Sequence, residues 1–230
     1  MATTLVAEAL AAQFDLALLA VGGVPLGDFG RKTDIVEPQP DRTYAALGGG
    51  ARNGFGMNLE MEAEVRPAVF VGGRLGYLRN SADASEIQRK GLMPGLEEIN
   101  AAWGIIYASL FTRMVAYDSR AFDMYVRAGL GIASVKNYFD ATYHLPWFGR
   151  GRAASSFDLG NHFFMSGGIG SEYRISRSVS LVTEFSLTHL FTNGAEATAS
   201  YGGFSLTGTQ KFDIQALEIM TGMRISFGGR

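Results

Sequence analysis

From Phe55 to Arg66 every second residue is apolar. Phe55, Met57, Leu59, Met61, Ala63 and Val65 fall on one side, and Asn58, Glu60, Glu62, Glu64 and Arg66 on the other. A period of two is that of a β-strand with unlike faces. The next run sets Val69, Val71, Leu75 and Tyr77 against Gly72, Arg74 and Gly76. Carried along the chain, the same pattern predicts eight strands, near residues 13–24, 55–66, 68–79, 100–117, 122–138, 157–175, 179–192 and 211–227. Connections after the even strands are tight, at 66–67, 118–121 and 176–178. Those after the odd strands, 25–54, 80–99, 140–156 and 193–210, are long and rich in turn residues. An even strand count with short turns at one end and long loops at the other predicts an all-β fold: an eight-stranded antiparallel up-and-down transmembrane barrel.

Alternation alone also fits a soluble barrel of the lipocalin kind, with its apolar residues inside. Three features favour the inverted arrangement. The polar face is small and glycine-rich, as at Gly129 and Gly131 or Ser166, Gly168 and Gly170, which suits a crowded lumen. Of the 20 basic residues 16 are Arg and 4 Lys, and many Arg lie within strands, where Arg suits buried multiple pairing. Aromatics gather toward strand ends. Phe55, Tyr77, Trp103, Tyr138, Phe163 and Phe191 are expected to form a loop-side girdle, and Tyr117, Phe122, Tyr173 and Phe227 a turn-side girdle.

Composition agrees. Glycine numbers 30 in 230 residues, aromatics make up 12% and charged residues 18%, yet mean hydropathy is only +0.08. Averaging a lipid-facing surface with an ionic lumen gives that near-cancellation. The absence of cysteine excludes disulfides and thiolate metal sites. A net charge of −2 gives no reason to expect nucleic acid. No apolar run reaches the length of a transmembrane helix. Residues 1–12 read either as a plain tail or as a signal-peptide remnant. Ala9-Leu10-Ala11 is a small-x-small pattern, but no basic region precedes it and Glu8 interrupts the apolar stretch. Residues 13–227 form the barrel and 228–230 overhang it.

The chain resembles the small outer-membrane barrels of the opacity and outer-membrane-protein-A type over about residues 13–227. The resemblance rests on Glu62-Ala63-Glu64-Val65-Arg66-Pro67 leading into Val71-Gly72-Gly73-Arg74-Leu75-Gly76-Tyr77. It rests also on Gly167-Gly168-Ile169-Gly170-Ser171-Glu172-Tyr173-Arg174-Ile175 with Val182-Thr183-Glu184-Phe185, and on Met220-Thr221-Gly222-Met223-Arg224-Ile225-Ser226-Phe227. It implies a bacterial outer-membrane location and a closing strand, ending at the aromatic Phe227, that the barrel-insertion machinery reads. Gly228, Gly229 and Arg230 depart from that pattern by following it. No peptidoglycan-binding domain follows the barrel in this sequence, so that role does not carry over.

With the polar face inward, a lumen network is expected from Glu60, Glu62, Glu64, Glu172, Glu184 and Glu218 with Arg66, Arg74, Arg127, Arg174 and Arg224. The turn at Arg66-Pro67 brings Arg74 opposite Asn58 or Glu60. The network either plugs the lumen as one connected cluster or forms separate ion pairs. Removing Arg74 is expected to destabilise the barrel or raise its conductance. The fourth strand fits least well. Its turn places Trp103, Ile105, Tyr107, Phe111 and Val115 outward, and Arg113 with them, so that Arg113 snorkels or a bulge resets the register.

The Gly129-Leu130-Gly131 and Gly168-Ile169-Gly170 fragments open no helix, so they are not phosphate loops. His144, His162 and His189 lack metal-ligand spacing, and no cofactor is expected. His144, His162 and Asp158 lie toward the loop-side rim, but no enzyme is expected there. Trp147, Phe148, Arg150 and Arg152 combine aromatic and basic groups. They read as a contact for lipopolysaccharide phosphates or an envelope protein, or as an interfacial anchor. Ile87, Leu92, Met93 and Leu96 suggest an amphipathic turn in the second loop. The expected role is envelope structure or surface interaction through the loops. The alternatives are a narrow pore or small-hydrophobe channel, and a non-catalytic subunit of an envelope complex.

Overall fold

The computed structural model describes residues 14–32, 35–36, 44–46, 48–83, 96–145, 147, 149–201 and 204–227. The tail 1–12, the overhang 228–230, Phe148 and the amphipathic turn around Ile87 to Met93 lie outside them. In chain order the strands are β1 (Phe14–Leu26), β2 (Ile35–Val36), β3 (Tyr44–Ala46), β4 (Ala51–Arg66), β5 (Val69–Ala82), β6 (Leu96–Asp118), β7 (Phe122–Leu145), β8 (Gly149–Arg174), β9 (Val179–Leu190), β10 (Glu196–Tyr201), β11 (Phe204–Gln210) and β12 (Ile214–Phe227). One helical turn, Gly27–Gly30, follows β1.

Eight strands pair in the closed antiparallel order β1-β4-β5-β6-β7-β8-β9-β12, with β12 returning to β1. Opposite residues can be followed around the ring, from Phe163 through Ile132, Ala108, Leu75, Leu59, Leu18, Met223 and Leu181 to Tyr173. The circuit returns to β8 ten residues from its start (173 − 163 = 10). That stagger over eight strands tilts each strand about 43° from the axis, so a strand residue rises about 2.4 Å along it.

The faces are inverted relative to a soluble barrel. Leu18, Met57, Leu110, Leu130, Ile169 and Leu187 are 55–67% exposed on the outside. Glu60, Glu184 and Arg224 are at most 1% exposed inside. Only a hydrocarbon surround makes that arrangement stable. On the tilt just derived, Phe55, Tyr77, Phe163 and Phe191 fall within about 4 Å of one level. Tyr117, Tyr173 and Phe227 fall about 25 Å below, the height of a barrel's apolar band. All seven face outward, 37–68% exposed. Half-buried Phe122 lies opposite Tyr173. Tyr138 also faces outward but sits about 11 Å above the upper girdle.

Three expectations are corrected. Trp103 is not in the girdle: it is 5% exposed in the lumen, and Ile105, Tyr107 and Phe111 turn inward with it. The cause is a bulge in β6 between Val115 and Tyr117, where the register against β7 slips and reverses every face above it. Arg113 therefore points inward, 1% exposed. The third long connection is no loop. β7 and β8 stay paired through Asp140 opposite Ala154 to Leu145 opposite Gly149, a two-stranded tongue above the barrel. The fourth connection folds into the β10–β11 hairpin, joined to β8 at Thr198–Asp158 and, in parallel, to β3.

The tight turn at Pro67-Ala68 has Ala68 at φ 65°, a left-handed residue after proline. The lumen glycines answer to particular rings. Gly76 lies opposite Tyr107, Gly72 opposite Phe111, Gly170 opposite Tyr125 and Gly131 opposite Phe164. A Cβ on Gly72 would stand 2.6 Å from the Phe111 ring, and one on Gly131 2.7 Å from Phe164. At Gly76 and Gly170 it would overlap the tyrosine outright. Each ring thus lies flat over a neighbouring strand, covering backbone that lacks a side chain.

Candidate functional site

The lower lumen holds two stacked rings of alternating charge. In the upper one Arg74 Nε lies 2.7 Å from Glu60 and its Nη2 3.0 Å from Glu184. Arg127 Nη1 closes the ring at 2.8 Å from Glu60 and 2.7 Å from Glu184. In the lower one Arg113 lies 2.5 Å from Glu62 and 3.5 Å from Glu172. Arg224 completes it at 3.2 Å from Glu62 and 2.6 Å from Glu172. Arg224 to Glu60 at 3.6 Å and Arg127 to Glu62 at 3.9 Å tie the rings together. Asp15 on β1 approaches Arg113 at 3.9 Å. Every barrel strand therefore contributes a charge.

Sequence position explains the stacking. Glu60 and Glu62 are two residues apart on one face of β4, so each heads one ring. Across the two-residue turn Glu60 stands opposite Arg74. Each ring holds two guanidiniums and two carboxylates, so the burial cost of each ion is offset by two partners of opposite sign. Aromatic faces support them: Arg113 lies 3.9 Å above Phe70, and Arg127 4.2 Å above Phe111.

Four expected members lie outside the rings. Arg66 is exposed at the turn. Glu64 accepts the Ala68 N–H there at 3.1 Å, where β4 bulges between Glu64 and Arg66. Arg174 reaches down to Asp118 and Asp123 at 3.0 and 2.5 Å, fastening the second turn. Glu218 is buried but sits one layer up, beside the Tyr107 hydroxyl at 3.5 Å. Arg113 and Asp15 join the lower ring without being expected there. The bulge conceals the first, and the second is one acid at the start of a strand.

Above the rings the lumen is apolar. Leu78, Ile105, Ala133, Val135, Phe164, Leu190 and Ile214 are at most 3% exposed. Among them is a void of ≈ 10 Å³, room for one water, bordered by Tyr107 and Glu218. The segment between β1 and β4 caps this layer. Phe29 packs edge-on to Trp103 at 5.6 Å, and Trp103 to Phe212 at 6.3 Å. Trp103 Nε1 donates to the Gly49 carbonyl at 2.8 Å.

The tongue carries its own ion-pair ladder. Lys136 meets Asp158 at 3.1 Å, Arg150 meets Glu97 at 3.0 Å, and Arg152 is hydrogen-bonded to Asp140. Hydrogen bonds from Arg152 hold the Asp140 carboxyl below its usual range. The Gly160 N–H and Lys136 do the same for Asp158. Such exposed pairs add little stability individually. Arg150 pairs with Glu97 of β6 and Arg152 with Asp140, both arginines remaining exposed, and among the described residues of the tip Trp147 is 92% exposed. At about 2.4 Å per residue the tip stands about 30 Å above the upper girdle, too high for an interfacial anchor. His144, His162 and Asp158 are not brought together. His162 has its ring nitrogens 2.8 and 3.2 Å from the Leu159 and Phe191 carbonyls, His144 lies 3.7 Å from Glu97, and Asp158 faces Lys136. Among the described residues no cluster of His, Asp and Glu could hold a metal.

Comparison with known proteins agrees with this geometry. A major outer membrane protein from Thermus thermophilus shares the fold, with 14% identity, a TM-score of 0.52, and 93% of this chain and 99% of that one covered. Ail, the attachment invasion locus protein of Yersinia pestis, is similar at 12% identity and TM-score 0.46, covering 94% of this chain and 99% of its own. The outer membrane protease OmpT of Escherichia coli is similar at 11% and 0.43, covering 94% and 96%. No curated protein matches by sequence. A family model described as an outer membrane protein beta-barrel domain matches residues 1–223. The chain belongs to that family, a β-barrel of the bacterial outer membrane.

Proposed function

We propose that this chain is a closed, non-catalytic barrel that carries a two-stranded recognition tongue above the outer membrane. The observation that supports the reading most is the tongue itself: paired over its whole length, braced by ion pairs, and ending in Trp147, 92% exposed. Its arginines are each paired with a carboxylate, Glu97 or Asp140, so the group that distinguishes the tip is the aromatic Trp147. The partner we favour is lipopolysaccharide, contacted through its saccharides by Trp147, since the tip stands at the height of that layer. An envelope protein is the alternative partner. During assembly the insertion machinery would read the closing strand through Phe227. The two charge rings and the apolar layer argue against a narrow pore or a hydrophobe channel.

Trp103 and Trp147 are the two tryptophans of the chain, so Trp103→Phe leaves the tip as sole reporter. Its emission should shift to the blue in vesicles whose outer leaflet contains lipopolysaccharide, and stay at the water-exposed position in phospholipid alone. Identical spectra in both would refute lipopolysaccharide as the partner.

A further inference from the structure

The turn end of the barrel differs from the loop end in how it uses arginine. At the loop end Arg31, Arg52, Lys136, Arg150 and Arg152 each meet a carboxylate, and among the described arginines of that end Arg79, exposed opposite Phe55, is the one without an ion pair. At the turn end each of the three tight turns carries one exposed arginine: Arg66, Arg120 and Arg177. Among the described residues none of these three forms an ion pair or a side-chain hydrogen bond. The acids nearby are engaged within the turns: Glu64 on the Ala68 N–H, and Asp118 and Asp123 on Arg174. Three guanidiniums are left to reach outward.

Their height and spacing select the partner. Arg66 follows Val65, which is 57% exposed to lipid, Arg120 lies three residues beyond Tyr117, and Arg177 four beyond Tyr173. At about 2.4 Å per residue they sit about 3–10 Å below the lower girdle, within the headgroup layer. Turns two strands apart are about 12 Å apart around the rim. The three side chains therefore do not converge on one compact anion, and each faces a separate neighbour at the perimeter. We propose that the turn end is a binding rim for anionic phospholipid. Arg66, Arg120 and Arg177 each take the phosphate of one phosphatidylglycerol of the inner leaflet through paired N–H donors.

The test compares the full chain with R66Q/R120Q/R177Q, folded in phosphatidylcholine vesicles with or without phosphatidylglycerol. Reversible urea unfolding is measured at low salt and at about 0.5 M salt, where the screening length is only a few Å. Each arginine should raise the folding constant about fivefold in the anionic vesicles at low salt, so the triple variant loses about a hundredfold there. It should match the native chain in phosphatidylcholine and in high salt. If the triple variant does not fold, the three single variants replace it, each losing about fivefold. A variant that keeps the full response to phosphatidylglycerol overturns the proposal. So does soluble inositol hexakisphosphate stabilising the native chain as strongly as the lipid does, which would indicate a compact anionic partner.

Discussion

The lower and upper halves of the lumen solve one problem by opposite means. Below, eight buried charges close the bore as two neutral rings, drawn from β4 to β9 and β12. Above, apolar side chains with Phe29 as a cap close it by packing. The ionic half keeps polar character: Nη1 of Arg113, Nε of Arg127, and Nε and Nη2 of Arg224 have no hydrogen-bond partner in the protein. The upper half is mostly apolar, with Glu218, Thr188, Asn80, Gln210 and the Tyr107 hydroxyl buried among its aliphatic and aromatic groups. Closure by charge is therefore sensitive to the loss of a single partner. Closure by packing is spread over many contacts and tolerates the loss of one.

That difference should appear most strongly in Arg127→Ala. It leaves Glu184 with Arg74 as its one ion-pair partner and Glu60 with Arg74 and the more distant Arg224, and should cost about 3–5 kcal/mol by urea unfolding. Because the exposed carboxylates draw water, it should also open measurable conductance. Phe164→Ala in the upper half should cost about 3 kcal/mol yet leave the bore silent, since both charge rings below it stay intact. If both variants conduct alike, the two halves do not differ as described.

Between the halves, Gly76 supports the Tyr107 ring. Gly76→Val should push that ring out of place and cost about 1–3 kcal/mol, read as a lower unfolding midpoint. Smallest and opposite in sign, Ala68→Gly relieves the left-handed turn residue and should stabilise by about 1 kcal/mol, with no effect on the lumen. A destabilised Ala68→Gly would mean that the turn is not strained.

Much of this is legible in the sequence where a short turn fixes the count. From Pro67, alternation narrows the partner of Arg74 to Asn58 or Glu60, and the register, shifted between Glu64 and Arg66, sets Glu60 against it; β4 and β5 have the faces their alternation predicts. The fourth strand misleads because one extra residue between Val115 and Tyr117 reverses parity, and nothing in the residue types there marks a bulge. Trp103 is misplaced by pattern, and Arg113 left outside the network, for the same reason. The tongue reads as a loop because Gly149 to Ser156 is small and polar, without apolar alternation. Its strands are held by the pairing of β7 with β8 rather than by a buried face. Glu184 and Glu218 look equivalent in sequence. Their roles part only because stagger places one among arginines and the other among aliphatic groups.

Two charge rings and the packed layer above them should together leave the native lumen shut. Single-channel recording of the purified chain in planar bilayers tests it most directly. The native protein should give a silent baseline, and Arg127→Ala discrete openings under the same voltage. A steady, voltage-independent conductance from the native chain would contradict it.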